Sequence, residues 1–545
     1  MSVALISFVG TTALVAALTL LAVRRMKRSE NAIDDFFAGG RSLAWPIVGG
    51  SLLLTNLSTE QLVGLNGAVF KDGNLVGIAW EALAAFAMIA TALLFLPKYM
   101  ASGFTTTTAY LEQRYDRATR VLVSGLFLFG YVTVLLPVVL YTGGLALQGM
   151  FRIDLPLWLI IAGIGVLGSL YAIFGGLRAV AVSDTLNGVG LLICGLAVPI
   201  LALIVLGDGS LTGGISRLAQ DRPESLTPIA TKDKSGEMVS VPWPTLLTGM
   251  MFIQVFYWST NQVIVQRAMG ARSLAGGQKG VLFAASMKLL GPVMLCLPGI
   301  IALHMTDRLS IEDTDTVYPA IAREVMPTWS LGFFGAVIVG AILSSFNSAL
   351  NSAATLFCLD FYKPFVLKRG NAAGDRRVVV VGQIFATILA ILAMIVAPLL
   401  AQMESIFEYL QKVNGLYSVP VISIFLVGIL TKRAPAIGAK AAMVVGILTY
   451  AVFTFAETIV PGFVFTDHIA WYHWLHGYAA SVLCALGTLA FFTLIAPRLA
   501  DQIEAERLSK QAPVDMTPWK LRRVVSSLIV LATIAIYIGL FAISR

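Results

Sequence analysis

Thr55-Asn56-Leu57-Ser58-Thr59-Glu60-Gln61 lies near the middle of a long apolar stretch over 43–69. The run is polar and chargeable at a depth where a bilayer offers only hydrocarbon. A carboxylate there costs about 2.5–3.5 kcal/mol on insertion scales, so such residues face a partner or a pathway. A second interruption, Gln254-Val255-Phe256-Tyr257-Trp258-Ser259-Thr260-Asn261-Gln262, falls within the apolar stretch 242–266. Polar breaks at corresponding places in two membrane halves are the sequence pointer to a transporter's binding site.

The surrounding chain supplies those halves. Its 545 residues are 57% hydrophobic and 12% charged, with a mean hydropathy of +0.83. A soluble protein of this size needs more polar surface, so the composition predicts an all-α polytopic membrane protein. About fourteen apolar stretches are long enough to span a ~30 Å hydrocarbon core, among them 155–174 and 279–304. They are continuous runs, unlike the ~10-residue alternation of a barrel.

The first stretch, 3–23, has no basic residue ahead of it, and Arg24-Arg25-Met26-Lys27-Arg28 follow directly behind. That pattern reads as a retained span rather than a cleaved signal, with the N-terminus outside. An even number of spans returns the C-terminus outside as well. By this topology about 27 Lys and Arg fall on the cytoplasmic side and about 9 opposite, the expected positive-inside bias. The net charge of +8 therefore reports loop asymmetry, not nucleic-acid binding.

Cys194, Cys296, Cys358 and Cys484 all sit inside apolar spans and read as small buried hydrophobes, without disulfide or metal spacing. His468, His473 and His476 gather near one helix mouth beside Trp471, Tyr472 and Trp474, a pattern of interfacial packing. No cofactor is implied.

Spans two to six and seven to eleven form two five-helix sets. Five is odd, so the second set runs inverted relative to the first, and each begins with a polar-interrupted helix. The expected divisions are 1–42 (first span and cytoplasmic loop), 43–206 (first repeat), 207–241 (external loop that caps the outer mouth), 242–431 (second repeat) and 432–545 (three further spans). The segment 499–520 reads as a short internal amphipathic helix. Ser58-Thr59-Glu60-Gln61 is echoed by Ser259-Thr260-Asn261-Gln262, either a relic of duplication or a coincidence.

Where a helix unwinds in a membrane, its freed amides and carbonyls must be met by ions, ligand or protein. Asn56, Gln61, Gln254, Tyr257 and Gln411 offer neutral donors and acceptors at such places, and Glu81 and Lys288 add one charge of each sign. Donors, acceptors and flanking aromatics suit a polyhydroxylated solute; helix–helix glue is the competing reading of each amide taken singly. The run Ala341-Ile342-Leu343-Ser344-Ser345-Phe346-Asn347-Ser348-Ala349-Leu350-Asn351-Ser352 packs small hydroxyls into one helix. It reads equally as close helix packing or as ligation of a hard cation shared with unwound-helix carbonyls. Asp184 stands near the cytoplasmic end of span six, where a helix cap is the alternative to a functional carboxylate.

These segments together resemble the sodium/solute symporter family, and within it the bacterial sodium/sugar (galactose-type) symporters and their uncharacterised relatives. The resemblance rests on Asp35-Phe36-Phe37-Ala38-Gly39-Gly40-Arg41, Asn56-Leu57-Ser58-Thr59-Glu60-Gln61 and Gly175-Gly176-Leu177-Arg178-Ala179. It continues in Tyr257-Trp258, Asn261-Gln262, Gln266-Arg267 and Leu350-Asn351-Ser352-Ala353. It extends from about residue 3 to 460 and is weaker beyond.

The resemblance implies an inverted-repeat symporter fold and sodium as coupling ion. By it, Gln61, Glu81, Gln254, Lys288 and Gln411 would face the sugar, with Asn56 close by. Tyr257 would be the inner gate, and Leu65, Trp80 and Phe407 the apolar outer lid. Sodium would be held by the carbonyls of Leu54, Leu57 and Ala341 and the hydroxyls of Ser344 and Ser345, with Asp184 on its exit route. Three positions depart from the pattern. Gln254 stands where sugar transporters often carry Asn, and Ala84 replaces a small hydroxyl. Ala341 replaces the hydroxyl seen in two-sodium relatives, which favours one sodium per cycle.

The expectation is thus a sodium-coupled symporter of a sugar-like solute in a bacterial inner membrane, with lipid, solute and sodium as partners. An amino acid, carboxylate or sialic acid remains an alternative substrate. An acidic one would want a free cation, and Lys288 is read as the only basic residue deep in the core, with Glu81 as its neighbour. Proton coupling through Asp184 or Glu60 is a second alternative. A membrane enzyme is a third, disfavoured because the spans carry no nucleophile elbow, His/Asp constellation or metal motif, and a solute sensor is disfavoured because no signalling domain is attached.

Overall fold

The computed structural model describes residues 3–26, 31–151, 153–309, 311, 313–366, 372–402, 406–460, 472–498 and 514–545. Among them regular structure is helical, and strand-like pairing is confined to isolated bridges such as Leu43 with Ala271 and Ser273 with Asp515. The first half comprises α1 (Val3–Arg25), α2 (Trp45–Asn56), α3 (Thr59–Asp72), α4 (Leu75–Ala101), α5 (Arg117–Phe151), α6 (Leu157–Leu170) and α7 (Gly175–Leu206). The second comprises α8 (Leu246–Ser259), α9 (Gln262–Met269), α10 (Leu274–Lys288), α11 (Gly291–Leu303), α12 (Trp329–Phe365), α13 (Asp375–Ala401) and α14 (Ile406–Leu430). Three more follow: α15 (Ala436–Glu457), α16 (His476–Ile495) and α17 (Arg522–Ile543).

Among the described residues ten helices are long and apolar enough to cross a membrane, or eleven if α10 and α11, bent by 48°, count as one span. The expected count of fourteen is therefore not reached by length and composition. The shortfall has a physical origin. Stretch 43–69 is divided into α2 and α3, stretch 242–266 into α8 and α9, and 155–174 holds only the short α6. Peripheral helices turn apolar side chains outward, such as Leu14 and Leu20 on α1 and Leu528, Leu531 and Ile538 on α17. The polar residues of α2, α3 and α12 are buried instead. That inside-out distribution is the one a bilayer selects, and the protein is an integral membrane protein.

Small residues set the core spacing. A Cβ on Gly49 would stand 2.6 Å from Phe283 of α10, and one on Gly50 would stand 2.7 Å from Thr185 of α7. These two contacts press α2 between α10 and α7. The chain passes from α6 to α7 through Gly176, whose φ of +58° is a conformation that favours glycine. Just beyond, Arg178 pairs with Asp35 at 2.8 Å and donates from Nε to the Gly39 carbonyl at 2.8 Å. Gln266 donates to the Phe37 carbonyl at 2.6 Å. Much of the sequence motif around Asp35–Arg41 is thereby explained as a staple joining α7 and α9 at one end of the bundle.

The segment 207–241, expected to be external, docks over the Asp72 end of α3, where Ser240 donates its backbone N–H to Asp72 Oδ1 at 3.0 Å and Leu75 N–H donates to the Thr227 carbonyl at 3.0 Å. Gly67 on α3 abuts the Thr314 backbone of the loop before Val317–Val325. Cys194, Cys296 and Cys358 are buried as expected, whereas Cys484 is exposed on α16. His476 meets Thr248 at 2.8 Å, and His473 packs beside Trp474. His468 and Trp471 lie outside the described residues. So does 499–513, the larger part of the expected internal helix; its described remainder, 514–520, is not helical.

Candidate functional site

The break between α2 and α3 is a change of hydrogen-bond partner. In a continuous helix Ser58 N–H would reach the Leu54 carbonyl and Gln61 N–H the Leu57 carbonyl. Here Ser58 N–H bonds Asn56 O at 2.9 Å, and Gln61 N–H bonds Ser58 O at 3.2 Å. The amides turn away from Leu54 and Leu57, the two carbonyls expected to hold sodium. Ser345 Oγ donates to the adjacent Thr55 carbonyl at 3.4 Å, which puts α12 against the break. Ser344 Oγ is buried with its hydroxyl turned to the Asp184 carboxylate. Ala341 lies one turn before Ser345 on the same helix and is fully buried. Carbonyl and hydroxyl oxygens without protein donors are the ligand type a small hard cation takes, so this donor set fits sodium.

The second break is built differently. α8 ends at Ser259, and Thr260 and Asn261 both donate their N–H groups to Phe256 O, at 3.0 and 3.1 Å. Asn261 caps α9 by accepting Val263 N–H at 3.1 Å and also accepts the Tyr131 hydroxyl at 2.6 Å. The cap residues of the two breaks are Ser58 and Asn261. The sequence echo pairs Ser58 with Ser259, so it is two residues out of register with the geometry and does not mark equivalent positions.

Above the first break lies a polar chamber. Lys288, fully buried on α10, donates to both Glu81 Oε2 and Asn56 Oδ1, and Glu81 is equally enclosed. Gly291 makes room for this pair, because a Cβ there would stand 2.4 Å from Glu81 Oε2. Gln254 donates from Nε2 to the Trp80 carbonyl at 2.7 Å. Gln61 is buried with Oε1 unpartnered. Tyr257 lies beside Asn56, its ring edge-on to Trp258 at 5.3 Å, and is only partly buried. The structure therefore brings Asn56, Glu81 and Lys288 into direct contact and joins Gln254 to the backbone of Trp80.

Trp80 and Phe407 close the top edge-to-face at 5.3 Å. Gly64 of α3 receives Phe407, and Leu65 beside it is fully buried. Gln61 lies one helical turn below Leu65, and Gln411 one turn below Phe407. Both amides therefore sit about 6 Å along their helices from Leu65 and Phe407. Gln411 is buried, and its carbonyl accepts the Tyr478 hydroxyl at 2.9 Å.

Asp184 is not a helix cap. It lies well inside α7, accepts the Ser51 hydroxyl at 2.7 Å and pairs with Arg267 at 3.4 Å. Arg267 also donates from Nε to Ser51 Oγ at 2.8 Å and from Nη2 to Ser348. Lys288 is accordingly not the only deep basic residue. Arg267, Ser51 and Ser348 were missed as site residues. The available signal was an arginine immediately after an apolar stretch and separated from Gly270 by two residues, and it read as a helix-end charge.

A model of the sodium:solute symporter family matches residues 36–446. An uncharacterized symporter of Escherichia coli (strain K12), YidK, is 38% identical over 548 aligned residues, spanning 99% of this chain and 91% of the relative. The sodium/glucose cotransporter of Vibrio parahaemolyticus is 30% identical, over 80% of this chain and 82% of the relative. A sodium-coupled sialic acid symporter in its substrate-bound outward-open state shares the fold with a TM-score of 0.76, at 19% identity, over 91% of this chain and 99% of that one.

Proposed function

This chain belongs to the sodium:solute symporter family, and we propose that it couples inward sodium flow to import of a sugar or similar polyhydroxylated solute. The family is one of transporters, so the protein translocates rather than catalyses. The observation that carries the reading is the first break. It turns amides away from Leu54 and Leu57 beside Ser344 and Ser345, directly below a chamber of amides and one neutralised ion pair.

In this reading sodium is held by the Leu54, Leu57 and Ala341 carbonyls with the Ser344 and Ser345 hydroxyls, one ion per cycle. The ion ties α2 to α12 and favours the outward-open state, since a coupling ion shifts an equilibrium only by binding one state better. Solute then contacts Gln61, Glu81, Gln254, Lys288 and Gln411, with Asn56 alongside. Leu65, Trp80 and Phe407 close above it, and movement of Tyr257 releases it inward while sodium leaves past Asp184. The repeats over 43–206 and 242–431 supply the two arrangements, in a bacterial inner membrane with both termini outside. One cation crossing ~100 mV contributes about 2.3 kcal/mol. A tenfold gradient adds about 1.4 kcal/mol, so a neutral solute can be accumulated a few hundredfold.

An acidic substrate fits less well. Lys288 is engaged by Glu81 and Arg267 by Asp184, so neither base is spare for a carboxylate. The deciding experiment is uptake of a panel of labelled sugars, amino acids and carboxylates into proteoliposomes, with sodium or potassium outside. Sugar accumulation that collapses in potassium is the expected result. Sodium-driven uptake of a different class alone would discard the sugar, and uptake indifferent to sodium would discard the coupling.

A further inference from the structure

We propose that Gln278 is a positioning residue for the inner gate, a role that rests on the reading of Tyr257 as that gate. Gln278 holds one turn of α4 in the form that fastens the end of α8, and the chain just before α17 holds Gln278.

At Thr91–Phe95 α4 widens into a π-turn, and Leu96 N–H reaches back five residues to the Thr91 carbonyl. In an α-helix that N–H would serve the Ala92 carbonyl instead. Pro97, next along the chain, has no N–H to offer in its place. Ala92 is fully buried, where a carbonyl without a donor is costly. Gln278, 1% exposed on α10, supplies the donor, its Nε2 bonding Ala92 O at 3.0 Å. Its Oε1 is engaged as well, accepting the Trp519 N–H at 2.8 Å. Leu274 N–H donates to the Asp515 carbonyl at 2.9 Å, and Lys279 Nζ lies 5.7 Å from the centre of the Trp519 ring. The segment 514–519 is thus seated on the first turns of α10.

The π-turn faces the second break. Thr91 Oγ1 lies 3.0 Å from the Trp258 carbonyl and 2.9 Å from Ser259 Oγ, with the Ala87 carbonyl of its own helix a second acceptor at 2.9 Å. The Tyr99 hydroxyl donates to the Ser259 carbonyl at 2.9 Å. Trp258 and Ser259 are the last two residues of α8, directly after Tyr257. Tyr99 follows Thr91 by eight residues, which sets the two about 80° apart around an uninterrupted α-helix. A π-turn absorbs about one residue and leaves them about 20° apart. Both hydroxyls therefore reach neighbouring carbonyls only while the turn is kept. Its relaxation to α-helix would swing Tyr99 away from Ser259 and free the end of α8 that carries Tyr257.

The test combines hydrogen–deuterium exchange by mass spectrometry with binding of radiolabelled sodium, on the purified full chain in nanodiscs without solute. Gln278→Leu should speed exchange of peptides covering 257–264 by about fivefold or more, the equivalent of about one buried hydrogen bond. Peptides covering 59–65 should exchange as in wild type. Half-saturating sodium should rise by a similar factor, because freeing the inner gate populates the state that holds sodium less well. Thr91→Val, which keeps the shape and removes the hydroxyl, should act alike, and the double variant should go no further than the stronger single. The more adaptable Gln278→Met replaces the leucine variant if that does not fold. Wild-type exchange at 257–264, exchange that rises everywhere alike, or effects that multiply in the double variant would overturn the positioning role and leave sodium-coupled symport standing. Faster exchange with unchanged sodium binding would overturn it too, reducing Gln278 to a local staple. Tyr257→Ala runs alongside: if it leaves sodium binding untouched while Gln278→Leu weakens it, Tyr257 is not the gate, and the fastening of α8 by Gln278 stands without it.

Discussion

Replacing Lys288 by methionine removes the base from a site where it is 0% and its partner Glu81 1% exposed. Glu81 is left as a buried carboxylate without a cation, and Asn56 Oδ1 loses its donor. Breaking one side of such a pair costs about 3–5 kcal/mol, most of it the desolvation of the stranded charge. Replacing both partners, as Glu81→Gln with Lys288→Met, removes the stranded charge and should return stability to within about 1 kcal/mol of wild type. Equilibrium unfolding in mixed micelles of rising SDS fraction measures all three variants. The reasoning is refuted if Lys288→Met lies within about 1 kcal/mol of wild type, or if the double variant loses the sum of the singles. Solute uptake adds a second reading. The double variant should be stable yet transport-deficient, and normal transport by it would assign the pair to the scaffold rather than the chamber.

Ser345→Ala should raise half-saturating sodium in uptake assays by about 5- to 30-fold, the equivalent of about 1–2 kcal/mol for one lost ligand; unchanged activation would remove Ser345 from the ion site. Gln61→Ala should weaken solute binding by about two- to tenfold in calorimetry while the protein stays inserted. Gly64→Ala places a Cβ 2.6 Å from the Phe407 Cβ. It should hold the lid ajar, so that a Cys introduced at Gln411 reacts with an impermeant external thiol reagent about tenfold faster, consistent with an overpacking cost of about 1–3 kcal/mol. Burial pushes Asp72, beyond the outer end of the expected span, up to about 6 from the model-peptide value of 3.8. Docked, it binds its proton more tightly, so docking of 207–241 should be strongest below about pH 4 and weaken as pH rises through about 6. Limited proteolysis of that loop across pH checks the sign, and Asp72→Asn should flatten the profile.

The broken helices were legible because a polar run inside hydrocarbon has few physical excuses, and Leu54 and Leu57 were placed through the family likeness that the run carried. The Trp80–Phe407 and Glu81–Lys288 contacts join residues that the same likeness had singled out. What escaped was set by three-dimensional partnering. Arg267 reads as a helix-end charge until Asp184, Ser51 and Ser348 are seen around it. Cys484 cannot be told from its buried counterparts because a lipid-facing and a core-facing apolar helix have the same composition. The echo of Ser58 in Ser259 falls two residues from the cap and stands as the coincidence it was allowed to be, since caps are defined by which amide finds which carbonyl rather than by spelling. The number of crossings was obscured for a related reason: a helix broken for function is too short on either side to register as a span.

The unequal finish of the two breaks bears on how the halves have diverged. Asn261 closes its own break with Val263 and Tyr131, whereas the Ser58 side chain makes no capping bond to α3 at the other. If both descend from one ancestral unit, the labour has been divided, one copy becoming masonry and the other keeping a vacancy for cargo. Mutational tolerance should follow that division. Around Asn261 drift is policed by folding, and any residue that fails to bridge Tyr131 to the α9 amide is lost with the protein. Around Ser58, on the proposed function, it is policed by the ion, so that lineages adopting a different coupling chemistry could rewrite this break while leaving its twin untouched.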